Sequence, residues 1–170
     1  SEMIEKFKTL FFVKSSLISL YLALTLPIPF ISIGQLKIIS LISFILGLFL
    51  VINITSEHVE TCNKKISYRA SFISKFLGRE NWEICWKDIN LIKSLPTSQG
   101  SKVFYFNTSK GENLLIPQRI ENFDKFLVIV KKNTGIDTSE VSYISPLWTY
   151  KILTTISVVM IIGEFLAFIN

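Results

Sequence analysis

The chain has 170 residues, 49% of them hydrophobic, and its formal net charge at pH 7 is +5. The hydrophobic residues are concentrated in three windows that contain only four charged residues, which excludes a single water-soluble globule and an intrinsically disordered chain. The two cysteines are too few for a disulfide framework.

The three apolar windows are each long enough to cross a bilayer as a helix. They cover residues 10–30, 36–54 and 147–169, and a transmembrane helix needs about 20 mostly apolar residues. Pro27 and Pro29 are expected to end the first helix, because proline lacks the N–H group that a helix interior requires. The first two windows therefore predict a transmembrane hairpin, and the last window predicts a third transmembrane helix.

Lysine and arginine residues flank these helices unevenly. Residues 55–146 carry 13 of them and the N-terminal flank adds three lysines, whereas the turn between the first two helices has only Lys37. By the positive-inside rule, the N-terminus and the middle region are expected to lie in the cytoplasm. The predicted organisation is a cytosolic N-terminal segment (1–9), the transmembrane hairpin (10–54), a cytosolic domain (55–137), a linker (138–146) and the third transmembrane helix (147–169).

Small residues recur along the predicted hairpin with the spacing of one helix face. They occupy positions i, i+3 and i+7 of each helix, namely Ser16, Ser19 and Ala23 in the first and Ser40, Ser43 and Gly47 in the second. Because membrane helices pack closely through small side chains, these residues are the predicted contact face of the hairpin.

Glu164 is the one acidic residue within a predicted span. An intramembrane carboxylate is costly and is therefore a candidate functional group, although Glu164 is close enough to the C-terminus to reach the far headgroups. A third interpretation is an ion pair with Lys37, which begins the second helix on the same side and would dock the third helix on the hairpin. Transport through Glu164 is a weaker alternative, since three helices with one carboxylate contain no inverted repeat.

The middle region alternates polar and apolar residues with the period of β-strands and then changes to the period of a helix. The predicted antiparallel strands cover residues 57–62, 65–73, 82–86, 89–93, 103–106 and 113–116. Apolar residues from Ile120 to Val130 recur every three to four positions, which predicts an amphipathic helix of about 14 residues, capped by Gly135. The predicted core residues are Trp82, Trp86, Ile89, Phe104, Phe106, Phe123 and Phe126. The predicted fold class is an integral membrane protein with three transmembrane helices and an α+β domain.

Several motifs of this domain occur together in a known family. They are Trp86-Lys87-Asp88-Ile89, a hairpin turn at Gly111, Leu114-Leu115-Ile116-Pro117 and a closing helix through Phe123 and Phe126. In this combination they resemble the bacterial pleckstrin-homology-like (PH-like) domains. The resemblance implies a bent antiparallel sheet or barrel that a C-terminal helix plugs at one end, often joined to an N-terminal pair of membrane helices. The third helix departs from that layout.

Residues 61–79 form a basic stretch that contains no acid. Its bases are Lys64, Lys65, Arg69, Lys75 and Arg79. Near a membrane each base gains about 1 kcal/mol from anionic headgroups, and the family resemblance implies a lipid-headgroup site on the first strand pair. The alternative is the positive-inside bias together with an ordinary solvated face, in which case the interleaved aromatic residues Tyr68, Phe72 and Phe76 belong to the core.

Residue types that support catalysis or metal binding are few. His58 is the single histidine, and Cys62 and Cys85 are expected to be reduced thiols in the cytoplasm. The sequence has no glycine-rich phosphate loop and no nucleophile motif, so we expect no enzymatic activity, no cofactor and no bound metal. Charges of mixed sign outside the basic stretch argue against nucleic acid as a partner.

These observations predict a non-catalytic, membrane-anchored binding or scaffold protein. The first hypothesis is an accessory or assembly factor that contacts another integral membrane protein through the third helix and the sheet edges, with an exposed aromatic run over residues 103–106. The layout resembles that of some photosynthetic-complex assembly factors, which implies a bacterial inner or thylakoid-type membrane. The second hypothesis is a sensor that binds anionic membrane lipids through residues 64–79. The oligomeric state stays open.

Overall fold

The structure of the chain, a computed structural model, describes residues 3–170 and divides into two compact units. The sheet unit consists of the residues up to Leu10 together with Ser56–Ser145. The helix unit consists of Phe11–Thr55 together with Pro146–Asn170. The first two residues of the predicted N-terminal segment 1–9 lie outside the described residues.

The described part of the chain forms strands and helices in the following order. The strands are β1 (Glu5–Lys8), β2 (His58–Thr61), β3 (Lys65–Arg69), β4 (Trp82–Cys85), β5 (Ile89–Pro96), β6 (Lys102–Thr108) and β7 (Asn113–Leu115). The helices are α1 (Phe11–Thr25), α2 (Pro27–Ile31), α3 (Gln35–Ile54), α4 (Phe72–Phe76), α5 (Phe123–Thr134) and α6 (Leu147–Ile169). A single 3₁₀ turn, Trp86–Asp88, links β4 to β5.

The strands form two antiparallel sheets. One sheet has the order β1-β2-β3-β4, and the other has the order β5-β6-β7. Antiparallel sheets combined with helices confirm the predicted mixed α+β class.

The N-terminal segment contributes the first strand of the sheet unit, which the sequence did not predict. β1 pairs with β2 so that Lys8 lies opposite His58. The hydroxyl of Thr9 donates a hydrogen bond to the carbonyl of Glu57 at 2.9 Å. Phe7 is 3% exposed and meets Phe126 edge-to-face, with ring centroids 5.6 Å apart. Residues 5–10 therefore belong to the folded sheet unit and complete its core.

The core of the sheet unit lies between the sheets and α5. Phe106 and Phe126 are fully buried, and Trp82 meets Phe106 edge-to-face at 6.2 Å between centroids. Trp86 is buried and donates its indole N–H to the carbonyl of Cys62 at 2.8 Å, which satisfies its one polar group. Six of the predicted core residues are buried and Trp82 is half-buried against them: Trp86, Ile89, Phe104, Phe106, Phe123 and Phe126.

The predicted strand over residues 65–73 is wrong beyond Arg69, where β3 ends. Ser71 begins α4, because its side-chain oxygen accepts a hydrogen bond from the backbone N–H of Ser74 at 3.1 Å. Serine favours this N-cap position, since the hydroxyl satisfies an N–H group that lacks a partner within the helix.

The amphipathic helix begins later than its apolar period suggests. Ile120 forms an isolated bridge with Thr9, and α5 starts at Phe123. The predicted cap is confirmed, since Gly135 follows the helix with φ of 74° in the left-handed region that glycine adopts at low cost.

The helix unit contains three spans that are long and apolar enough to cross a membrane, at Phe11–Ile31, Gln35–Ile54 and Leu147–Ile169. The prediction that Pro27 and Pro29 end the first helix is confirmed, although the candidate span does not end with that helix. α1 stops at Thr25, but Pro27 starts α2 and carries the span onward. Proline is tolerated at the first position of a helix, because the N–H group that it lacks has no helical partner there.

The first helix packs mainly against α6 rather than against α3. The hydroxyls of Ser15 and Thr154 lie 3.5 Å apart, and the Lys151 ammonium lies 4.8 Å from the ring centroid of Phe12. Ser16 on α1 is fully buried. α1 therefore contacts, through Ser15 and Phe12, a helix that is distant in sequence.

The contact between α1 and α3 depends on a tyrosine above a glycine. The hydroxyl of Tyr21 donates a hydrogen bond to the carbonyl of Phe44 at 2.6 Å, and the two rings stack. Gly47 leaves the space that this ring occupies. Ser43 is exposed, so the predicted serine stripe of the second helix does not form the contact face as a whole.

Candidate functional site

The basic stretch carries its charges beside acids that come from elsewhere in the chain. Glu83 on β4 lies opposite Ser67 on β3, and its carboxylate accepts a hydrogen bond from the Ser67 hydroxyl at 3.0 Å. The same carboxylate lies 2.9 Å from the Lys65 ammonium and 3.3 Å from the Arg69 guanidinium. The hydrogen bond from Lys65 lowers the pKa of Glu83 below its ordinary value, and the same bond raises the pKa of Lys65. Two of the five predicted headgroup ligands are thus already engaged by a carboxylate.

Arg79 is engaged by a second acid. Its guanidinium lies 3.1 Å from the Glu57 carboxylate, and the Glu57 side chain is largely buried. Burial raises the pKa of the Tyr68 phenol, and the neighbouring Glu57 raises it further. Lys64 lies exposed between β2 and β3, and Lys75 lies exposed on α4. The bases of the stretch therefore lie on β3, in the turn before it, on α4 and directly after α4.

The aromatic residues of the stretch separate into one core residue and two exposed ones. Tyr68 is 9% exposed and stacks on Trp82. Phe72 and Phe76 on α4 are 77% and 87% exposed, and Leu77 is 70% exposed. The interpretation of Phe72 and Phe76 as core residues is wrong, because the Ser71 cap starts a helix that leaves the sheet.

The solvent-facing side of the second sheet carries exposed leucines together with polar residues, namely Lys93, Asn107 and Asn113. Leu95 pairs with Val103, and Tyr105 pairs with Leu115 across the strands. Leu91 lies on the same face as Leu95 and both are exposed, as is Leu115. Phe104 and Phe106 point to the opposite face and are buried, so only the alternate residues of the predicted run 103–106 are available at the surface.

The structure does not bring Lys37 and Glu164 together. No ion pair joins them among residues 3–170, and the Glu164 Oε2 atom is buried without a hydrogen-bond partner in that part of the chain. Lys37 is exposed at the start of α3. Docking of α6 therefore depends on its packing with α1 rather than on this pair.

We expect Glu164→Leu to raise the thermal unfolding midpoint of the detergent-solubilised chain. A buried polar atom without a partner costs about 1–3 kcal/mol, and the leucine side chain removes that cost. Lys37→Ala is the control and is expected to leave the midpoint unchanged. A fall of similar size in both variants, measured by thermal scanning, would instead establish the ion pair.

The cysteines and the histidine of the sheet unit do not form a cluster. Cys62 and Cys85 are free thiols on either side of Lys65, which places them about 10 Å apart across the sheet. His58 Nε2 lies 3.2 Å from Glu60 Oε1. Within the described residues, no group of three His, Cys, Asp or Glu side chains lies close enough to hold a metal ion.

Comparison with known proteins finds a bacterial relative of this chain. No protein-family model matches the chain. Over 148 aligned residues the chain is 32% identical to slr0269, an uncharacterized protein of Synechocystis sp.. The alignment covers 83% of this chain and 74% of the relative. Since 148 residues exceed the length of either unit, the similarity extends over parts of both.

Proposed function

Since the chain belongs to the family of the Synechocystis protein slr0269, which is itself uncharacterized, we propose a function from the surfaces of the molecule. The chain is a bacterial multi-pass membrane protein that acts as a non-catalytic scaffold or assembly factor. Its helix unit anchors it in the membrane, and its sheet unit, on the cytoplasmic side, contacts another integral membrane protein.

The exposed surface of the helix unit supports membrane anchoring. α3 has no buried residue although most of its side chains are apolar. An exposed apolar surface of that size is unfavourable in water and is ordinary in contact with lipid. The N-terminal and middle segments that carry most lysines and arginines then lie in the cytoplasm, in agreement with the positive-inside rule.

A PH-like fold for the sheet unit is part of the proposal. Two antiparallel sheets precede α5, whose Phe123, Phe126 and Val130 side chains are buried in the core. This order of elements is the one that the family resemblance implies, with a helix closing a bent sheet. β1 and α6 are additions to that layout.

The observation that carries the partner proposal is the pair of exposed leucines on β5, an edge strand of the second sheet. β5 is an eight-residue edge strand that pairs only with β6 among the described strands. Leu91 and Leu95 are 43% and 55% exposed along it. Exposed leucines on an edge strand can bind another chain, while Lys93, Pro96 and the bulge between Ile89 and Leu91 limit unspecific pairing along β5.

A photoreactive amino acid at Leu95 tests this proposal in native membranes. We expect it to crosslink to one membrane protein, and Leu91→Lys is expected to abolish the adduct, because a charge then enters the apolar contact. The same photoreactive group at Lys110, in the turn before β7, is the control and is expected to give no such adduct. Crosslinks to lipid alone, or equal adducts from both positions, would contradict the proposal.

The alternative function, sensing of anionic lipids through residues 64–79, has less support. Glu83 and Glu57 engage three of the five bases, so the charge available to headgroups is smaller than the sequence suggests. The apolar helices bind the full chain to anionic and neutral vesicles alike, so flotation of the unaltered chain does not separate the two functions. The informative comparison is flotation of the Lys65→Ala/Arg69→Ala variant with that of the unaltered chain on both kinds of vesicle.

A further inference from the structure

The three exposed apolar side chains of Phe72, Phe76 and Leu77 form a projecting surface that we call the apolar finger. Their exposed fractions are 77%, 87% and 70%, whereas the other large apolar residues of β3 and β4 pack in the core. Exposure of neighbouring phenylalanines to water is costly, and contiguous apolar patches of this kind mark interaction sites.

The finger is held in a fixed conformation. The Ser71 side chain caps its first turn, and Ser74 is buried beneath it. After the helix, the backbone N–H of Arg79 donates to the carbonyl of Ser74 at 2.9 Å, and the Arg79 guanidinium pairs with Glu57. The apolar side chains are therefore presented without the entropy cost of ordering a mobile loop.

The pairing register locates the finger at one end of the first sheet. Lys8, His58 and Arg69 lie side by side in one row, and the chain enters the finger directly after Arg69. α1 starts at Phe11 and α3 ends at Ile54, which covalent geometry keeps within about 14 Å of Lys8 and His58 respectively. The chain therefore leaves this end of the sheet toward the finger after Arg69 and toward α1 after Lys8, and it returns there from α3 at His58.

From these observations we propose that the apolar finger inserts into the interface of the cytoplasmic leaflet. The inference rests on the membrane anchoring proposed above. The phenylalanines enter the boundary between headgroups and acyl chains, while the exposed Lys75 and Lys8 contact anionic headgroups. Lipid is the occupant that the charges favour, because apolar side chains next to exposed lysines match an anionic interface. The finger therefore fixes the pose of the sheet unit on the membrane.

Depth-dependent fluorescence quenching tests the insertion with the full chain in phosphatidylcholine vesicles that contain phosphatidylglycerol. The variant Phe76→Cys, in a background of Cys62→Ser and Cys85→Ser, carries an environment-sensitive dye. Lipids brominated near the headgroup are expected to quench this dye strongly. The matched control is Leu95→Cys, another exposed apolar position of the sheet unit, and its dye is expected to be quenched little.

Equal quenching at both positions would overturn the proposal. A blue shift of the dye emission at Phe76→Cys that depends on the ratio of protein to lipid, without quenching, would also overturn the proposal. It would indicate that the finger contacts a second copy of the chain. Resistance of the protein to alkaline extraction is measured in parallel, so failure of the membrane anchoring is distinguished from failure of the finger.

A second measurement uses the trypsin site at Lys75 within the finger. In vesicles we expect cleavage there to be slow, and the double variant Phe72→Ser/Phe76→Ser is expected to accelerate it by about tenfold or more, since burial of one phenylalanine side chain changes a docking equilibrium by at least that factor. Both residues are exposed, so the variant keeps the fold, and cleavage in detergent at an unchanged rate is the control. No acceleration in vesicles would contradict the insertion.

Discussion

Phe7→Ala is expected to destabilise the sheet unit by about 3–5 kcal/mol, the usual cost of truncating a fully packed phenylalanine. Phe7 is 3% exposed and its ring meets Phe126 in the centre of the core. The substitution leaves a cavity and also weakens the docking of β1 beside β2. Urea unfolding of the detergent-solubilised full chain, followed by tryptophan fluorescence, measures the change because Trp82 and Trp86 lie in the same core.

The matched control for this prediction is the same substitution at an exposed phenylalanine. Phe76 is 87% exposed, so Phe76→Ala is expected to change the free energy of unfolding by less than about 0.5 kcal/mol. An unfolding midpoint of Phe7→Ala that matches that of Phe76→Ala would show that the N-terminal strand is not part of the folded sheet unit.

Gly47→Leu is expected to separate α3 from α1 and to lower the thermal stability of the helix unit. A side chain at this position meets the hydroxyl and ring of Tyr21, so the ring must leave its site and its hydrogen bond to Phe44 is lost. Overpacking costs about 1–3 kcal/mol, and the lost hydrogen bond between the two helices adds about 1 kcal/mol. A thermal scan of the solubilised chain measures the effect.

Gly163 provides the control for this substitution within another apolar helix. No atom lies within 4 Å of a side chain built there, so Gly163→Leu is expected to leave the midpoint unchanged. Tyr21→Phe removes only the hydroxyl and is expected to lose the hydrogen-bond part of the effect. Equal midpoints for the two leucine variants would mean that the Tyr21 contact does not hold the hairpin together.

The sequence predicts the elements whose residues repeat with a clear period. The three apolar helices follow from length and composition, and the alternation around Trp82 and Phe104 locates strands whose inward residues are buried. Gly135 is predictable as a cap because a left-handed residue must follow the helix. Each of these features depends on residues that are neighbours in the chain.

The features that the sequence did not predict depend on contacts between distant residues or on very short elements. β1 has four residues and two lysines, so its pattern is indistinguishable from a positively charged flank of a membrane helix. The pairing of Glu83 with Lys65 and Arg69 requires the register of β3 and β4, since the acid lies outside the basic stretch. α4 could have been predicted from the sequence, because Ser71 is a typical N-cap residue and is followed by two phenylalanines four residues apart.

The pairing of β1 with β2 also constrains how the protein is made. Lys8 and His58 are partners in one sheet although the whole hairpin of α1 to α3 lies between them. Any route that the ribosome-bound chain takes through a bilayer must therefore return it to the side from which it departed, so the number of crossings between these two strands is even. In the membrane topology proposed above, the first strand to leave the ribosome waits unpaired until that return, so insertion of the hairpin precedes completion of the sheet.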